Sequence, residues 1–199
     1  MGPNELHEHS ALFCLVIYLR NLTIFTRNRQ EPLLLWRTFA ADRVTLSEGG
    51  AVATQTTSGY SLTTTETELT EGRHYWEVEL LSENMGGIFI GISRPNLDPT
   101  GEYYHRNCTD GWFIGAYSGC LYGNGKQGDN RAGAYSQGDR GGVLLDLDNG
   151  SLRFFKNGVQ HGPGYPAGSV TGPVVAAVQL FRTATSVRLL PNAEAPAGV

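Results

Sequence analysis

Residues 72–80, GRHYWEVEL, constrain this chain more than any other stretch. Side chains in a strand alternate with period two. His74, Trp76, Val78 and Leu80 therefore share one face, and Arg73, Tyr75, Glu77 and Glu79 the other. Gly72, after Thr70-Glu71, starts the strand; Ser82-Glu83-Asn84 and Gly86-Gly87 end it. An indole on the apolar face buries more area than any neighbour, so Trp76 is expected to anchor a core.

The flanking chain reads as more short strands. Residues 44–46 and 52–54 bracket the turn cluster Ser47-Glu48-Gly49-Gly50. Within the Thr- and Ser-rich stretch 54–67, Tyr60 and Leu62 alternate with Ser61 and Thr63, a weak strand. Residues 88–92, 112–115 and 121–122 follow, with a long loop over 93–110 and a Gly- and Asp-rich loop over 123–140. A long loop in a compact domain is often functional. Residues 143–148 run into Asn149-Gly150 and residues 151–156 run back, so a type I′ turn with φ > 0 at both positions is expected there. Asn157-Gly158 turns the chain again, and residues 174–180 and 186–190 close the pattern. The chain has 26 glycines, about twice the ordinary share, which suits many tight turns. With ten to twelve short strands and no clear amphipathic helix after Trp36, the expected class is all-β, an antiparallel β-sandwich.

Composition narrows the functional classes. A length of 199 residues suits one domain plus a short extension, and 40% hydrophobic residues suffice for a sizeable core. The net charge is −4 and no basic stripe stands out, so nucleic acid is not an expected partner. Arg20, Arg27 and Arg29 read as a solvated face. Cys14, Cys108 and Cys120 are too few and odd in number for a disulfide framework, which fits an intracellular, cytoplasmic or nuclear setting. The glycosylation patterns at Asn21, Asn107 and Asn149 matter only in a secreted chain. Residues 1–35 form an extension whose apolar run 11–19, ALFCLVIYL, is shorter than the roughly 20 residues of a membrane span. It also lacks a basic n-region and a small-residue cleavage site. It is expected to pack on the main domain as a buried strand or helix, with a signal or anchor, or an extension that is disordered or not native to the domain, as the alternatives. The domain itself is placed at 36–191, with a tail at 192–199.

Several ordered pieces together resemble the SPRY domain family: GRHYWEVEL, GIFIGIS, DGWFIG, GGVLLDLDNGSLRFFKNG and GPVVAAVQL, across about residues 36–191. The passage VTLSEGGAV is similar to the PRY half that often precedes it, with Gly49 where an acidic residue is common. The resemblance implies a bent, concanavalin A-like sandwich. It also implies a non-catalytic module that binds a protein or short peptide, with no cofactor or metal, as a monomer. Family members sit within ubiquitin ligases, adaptors, channels and scaffolds, and bind through loops at one edge of the sandwich. Here those loops are 54–58, 100–106 and 179–183. They nominate Thr56, Tyr103, Tyr104, Arg106, Gln179, Phe181 and Arg182 as partner-binding residues. Trp76, Val78, Ile90, Leu145, Leu147 and Phe154 are expected core.

Other chemistries fit these residues less well. Glu77 and Glu79 share a strand face about 6.6–7 Å apart, a carboxylate spacing a retaining glycosidase also uses. A carbohydrate-binding or glycan-cleaving sandwich is therefore the alternative function, against two solvated polar residues as the favoured reading. Residues 123–128 spell GxGxxG, but no helix opens after them, so no dinucleotide site is expected. His105, Cys108 and Cys120 lack the paired spacing of a zinc site, and Asp146 with Asp148 lacks the following oxygen ligands of a calcium loop. A RING needs roughly eight Cys/His ligands in close-spaced pairs, and the three Cys and five His in this arrangement do not supply them. Only nine residues follow Leu190, too few for a helical adaptor-recruiting box. The chain as given is expected to recognise a substrate without recruiting conjugation machinery, as a stand-alone binder or a fragment of a larger protein.

Overall fold

The computed structural model describes residues 34–103 and 107–199. The apolar run 11–19 lies outside the described residues, as do Cys14, Tyr104, His105 and Arg106. The strands are β1 (Trp36–Thr38), β2 (Val44–Ser47), β3 (Val52–Gln55), β4 (Ser61–Thr65), β5 (Arg73–Leu80), β6 (Ile88–Ser93) and β7 (Gly111–Gly115). They continue as β8 (Leu121–Gly123), β9 (Lys126–Asp129), β10 (Arg140–Asp146), β11 (Ser151–Lys156), β12 (Val159–Gln160), β13 (Val175–Leu180) and β14 (Ser186–Leu190). Among the described residues a single 3-10 turn, Glu48–Gly50, interrupts them.

The strands form two seven-stranded sheets with antiparallel pairings throughout, an all-β sandwich. One sheet runs β1-β4-β13-β6-β7-β8-β9 and the other β12-β11-β10-β5-β14-β3-β2. The signature strand β5 pairs with β10 and β14 on either side. Its inward residues Trp76, Val78 and Leu80 are fully buried. They meet Ile88, Ile90 and Ile92 of β6 and Ala176, Val178 and Leu180 of β13 in one continuous core. Leu145 and Phe154 join that core as expected, whereas Leu147 only packs against it from a partly buried position. His74, on the same face as Trp76, sits half-buried at the strand start, its Nε2 2.8 Å from the Glu71 carbonyl.

Fourteen strands among the described residues exceed the ten to twelve expected. Part of the excess is β9, within the stretch expected to be loop. Gly123 pairs with Lys126, and Asn124 (φ 42°) with Gly125 (φ 83°) makes the two-residue turn between them. The GxGxxG string is thus a hairpin tip between strands, with no helix N-terminus for a pyrophosphate.

The turn at Asn149-Gly150 also differs from expectation. Asp146 pairs with Ser151, so four residues connect the strands, and only Gly150 has positive φ, at 73°. The Asp146 carboxylate explains this. Its Oδ1 accepts the Asp148 and Asn149 backbone N–H groups at 3.2 Å each, and its Oδ2 accepts the Asn149 side-chain amide at 3.0 Å. A side chain that takes up the turn's own N–H groups folds a longer connection around itself. The type I′ signature instead appears at Asn157-Gly158, with φ of 52° and 80° between Lys156 and Val159.

Candidate functional site

Strand register decides which loops meet. Ser61 pairs with Leu180, and Leu180 with Ile88. The chain entering β4, leaving β13 and entering β6 therefore arrives at one end of one sheet. Loops 56–60, 81–87 and 181–185 are neighbours there.

Gln55, the last residue of β3, organises the first of these loops. It is buried, and its two Nε2 hydrogens are shared among the Thr57 carbonyl at 2.8 Å, the Gly59 carbonyl at 2.7 Å and Ser61 Oγ at 3.1 Å. Its backbone fastens the third loop: Gln55 N–H donates to the Thr185 carbonyl at 2.9 Å, and Ala184 N–H donates to the Gln55 carbonyl at 2.8 Å. Gly59 N–H donates to the Phe181 carbonyl at 3.0 Å, and Ser58 and Thr183 hydroxyls lie 3.3 Å apart. Ala184 sits at φ 67°, a strained conformation for a residue with a Cβ, held by these contacts.

On this frame Tyr60 and Phe181 stack, with ring centroids 4.5 Å apart and planes 29° from parallel. Arg43 supports the pair from below: its Nη1 donates to the Tyr60 carbonyl at 3.3 Å. Phe181 is half-buried and Arg182 exposed. The close approach of Gly87 to Phe181 leaves no room for a side chain, since a Cβ there would lie 2.8 Å from Phe181 Cβ. Arg182 extends over Gly86 and Gly87 with no acidic partner among the described residues. Thr56 is exposed, but its N–H and Oγ1 both donate to the Arg43 carbonyl, at 2.7 and 2.9 Å.

Residues 97–103 of the long segment between β6 and β7 fold back over the outer face of the same sheet. Leu62 N–H donates to the Pro99 carbonyl at 2.7 Å. Gln179 Nε2 donates to the Gly101 carbonyl at 2.6 Å, and its Oε1 accepts Tyr103 N–H at 3.0 Å. Gln179 is 0% exposed. As placed, it offers no surface to a partner and acts by holding residues 101–103. Tyr103 is half-buried and, with Phe89, Leu97 and Tyr122, packs against Leu62, Phe113 and Ala177, a small second core under the loop. Burial, and then the Asp98 charge, push its hydroxyl above the ordinary range. Of the seven nominated residues, the structure brings Thr56, Phe181 and Arg182 to one edge and puts Gln179 beneath the loop. Tyr103 lies beside them on the outer face. Gln55 was missed; an amide between a Thr-rich strand and a turn was its only signal.

The acidic pair on β5 is occupied. Glu79 Oε2 accepts Arg188 Nη1 at 2.8 Å, and Arg188 Nη2 reaches Glu48 Oε1 at 2.9 Å. Glu77 Oε1 accepts the Tyr75 hydroxyl at 2.9 Å. Burial, and then the Glu77 hydrogen bond and charge, push that hydroxyl well above its ordinary value, so Tyr75 stays a donor. Glu77 is buried, contrary to the expectation of a solvated residue, because Tyr75 and Leu190 flank it on the sheet face. Cys108 and Cys120 are free thiols, with burial pushing the Cys108 thiol up. No group of three or more His, Cys, Asp or Glu among the described residues is arranged to hold a metal. No helix among them is long and apolar enough to cross a membrane.

Comparison with known proteins agrees with this architecture. Two frog proteins, the SPRY domain-containing SOCS box protein 3 of Xenopus tropicalis and of Xenopus laevis, are each 36% identical over 98 residues, 45% of this chain. The match spans only 26% of each relative's length. The crystal structure of the SPRY domain of human HERC1 superposes with a TM-score of 0.65 at 24% identity, over 76% of this chain and 94% of that one. The TRIM65 PSpry domain gives 0.61 at 20% identity, over 78% and 90%. At those identities the two structures speak for the fold alone. The family model of the SPRY domain matches residues 73–192, the stretch from the first residue of β5 to just beyond β14, and the chain belongs to the SPRY domain family.

Proposed function

We propose that residues 36–191 form a non-catalytic module that holds a protein or short peptide at the edge made by loops 56–60, 81–87 and 181–185. SPRY domains are generally protein-interaction modules, and the observation that carries the finer reading is the Phe181–Arg182 pair. An aromatic ring already fixed by stacking on Tyr60 loses little freedom on binding. Beside it stands an exposed guanidinium with five donors and no acidic partner among the described residues. Aromatic and Arg anchors of this kind carry most of an interface's energy. The partner feature that fits is an acidic side chain next to an apolar one. Thr56 and Tyr103 line the flanks, and Tyr104 and Arg106 belong to the same expected surface. Gln179 serves as a positioning residue.

The frog relatives combine a SPRY domain and a SOCS box in one chain by name. The role that suits this chain is the recognition half of such an adaptor, selecting a substrate in a ubiquitin-related setting, as a monomer inside the cell. The test is affinity capture with the wild type and with Phe181→Ala and Arg182→Ala, followed by calorimetry on the captured partner. Each substitution should weaken binding by roughly tenfold or more, with the melting temperature unchanged. Raising salt should weaken the wild type and barely touch Arg182→Ala. Wild-type affinity in both variants, with loss on changing another surface, refutes the edge.

A further inference from the structure

The outer face of the other sheet carries a second site. On it, register sets Glu77 of β5 between Gly142 of β10 and Leu190 of β14. Gly142 leaves the space above it open, and Tyr75 fills it: a Cβ at position 142 would collide with the Tyr75 hydroxyl. That hydroxyl donates to Glu77 Oε1 at 2.9 Å. Beyond β14 the chain passes over the same face. Leu190, Pro191, Asn192 and Ala193, together with Glu77 and Arg140, enclose an open cleft of about 350 Å³, within the usual span of about 300–1,000 Å³ for ligand pockets.

The charges in this cleft are unevenly satisfied. A carboxylate has about four acceptor positions. Glu77 is 8% exposed and uses one of them, for Tyr75. Its charged neighbour, Arg140, stands with Nη1 3.6 Å from Oε2, too far for a hydrogen bond. The Arg140 side chain is 58% exposed and makes no shorter contact among the described residues. One row along, Glu79 takes a close hydrogen bond from Arg188 at 2.8 Å. Asp146 has an equally long pair with Arg73, at 3.6 Å, but accepts three hydrogen bonds from Asp148 and Asn149, which Glu77 has no counterpart for. Buried carboxylates are ordinarily both paired and hydrogen-bonded.

We propose that this cleft binds a lysine or arginine side chain of a protein partner. The cationic head hydrogen-bonds to Glu77 and displaces Arg140 toward solvent, and the Asn192 amide oxygen supplies a further acceptor. The methylene stem lies along Leu190, Pro191 and Ala193, which suits the apolar body of a long basic residue. An anionic ligand fits less well. It would meet Arg140 but approach the Glu77 charge, and it would leave the open acceptor positions unfilled. In this arrangement Arg140 is the intramolecular competitor of the ligand. The site is separate from the Phe181–Arg182 edge, which is built from loops that cross between the two sheets.

Nuclear magnetic resonance on the whole chain tests this with three blocked tripeptides, glycine flanking arginine, citrulline or glutamate. The arginine peptide should shift the Asn192 side-chain amide and the Gly142 and Leu190 backbone amides, and the other two should not. Glu77→Gln keeps an acceptor for Tyr75 but removes the charge, and should weaken binding at least tenfold. Arg140→Ala should tighten it several-fold, because the competitor is gone; this variant decides the matter even where Glu77→Gln fails to fold. Phe181→Ala should leave the titration unchanged, so failure here and failure of the edge are told apart. No shift with the arginine peptide, equal shifts with citrulline, a stronger response to glutamate, or unchanged or weaker binding in Arg140→Ala each overturns the proposal.

Discussion

Gln179→Met separates a positioning role from a contact role. Methionine has a similar length and volume, so the packing over Leu62 and Phe89 is largely kept. What is lost is two hydrogen bonds, to the Gly101 carbonyl at 2.6 Å and from Tyr103 N–H at 3.0 Å. A neutral hydrogen bond contributes about 1 kcal/mol net, and a buried group left without its partner costs about 1–3 kcal/mol. Because Tyr103 is only half-buried, water reaches part of the loop, and the lower end of that range applies to it. The expected loss is about 2–3 kcal/mol, or roughly 5–10 °C in melting temperature for a domain of this size. Urea melts give the first number. Hydrogen exchange at the Tyr103 amide gives the mechanism, since that proton should lose protection ahead of the global transition. Partner binding should weaken only as far as the loop is displaced. A stability loss below about 0.5 kcal/mol, against the net value of the two bonds, refutes the argument. So does abolished binding with Tyr103 protection intact.

Three further outcomes follow from the same geometry. Trp76→Ala empties the centre of the core, where the ring is entirely buried, and should cost about 3–5 kcal/mol in urea melts; a loss under about 1 kcal/mol would contradict the register of β5. Gly150→Val should destabilise by more than about 2 kcal/mol, because the position sits at φ 73° and a Cβ there would lie 2.6 Å from the Val170 carbonyl oxygen; an unchanged melting temperature refutes it. Asp139 supplies a pH dependence. Burial pushes its carboxyl up, but hydrogen bonds from Lys156, Asn157 and Ser136, with the Lys156 charge, outweigh that and hold it below the ordinary range. A lowered folded value gives stability that is present above the unfolded value of about 3.9 and lost as pH falls through the folded one. The stability gap between wild type and Asp139→Asn should therefore be full at pH 6 and close in strong acid; a gap independent of pH refutes the assignment.

How much of this was legible in the sequence depends on whether a residue's environment is set by periodicity or by a single distant partner. The strand over 73–80 declared itself because eight residues sample the period-two pattern four times. Two-residue β12 and four-residue β9 do not sample it enough to stand out from loop. Asn-Gly marked the turns at 149–150 and 157–158 but not the type of the first, where the Asp146 carboxylate, three residues upstream, outcompetes the dipeptide's own preference. At Tyr103 an aromatic in a long loop reads as an anchor, and only the fold shows it turned onto Leu62, Phe113 and Ala177. Gln179 did carry a signal that loop-based reasoning overrode. It is the one polar residue of a six-residue strand buried at every position, and a buried amide must find partners.

The two glutamines explain how this sandwich can carry variable loops without loosening. The core between the sheets closes without them: Trp76, the β6 isoleucines and the β13 aliphatics meet face to face. Loops at a sheet end contribute little to that burial, yet their backbones must still be satisfied. Gln55 meets the need for 57–61 and Gln179 for 101–103, each from within a strand that the core already fixes. Loop geometry is thereby set by backbone carbonyls and N–H groups, which every sequence possesses. Exposed side chains such as Arg182 take no part in it. Substitutions at the edge should thus divide cleanly. Changes at Gln55 and Gln179 should lower stability and move whole loops, whereas under the proposed function changes at Arg182 should alter the affinity for a partner and leave the melting temperature in place; a drop in melting temperature for Arg182→Ala equal to that for Gln179→Met refutes the division.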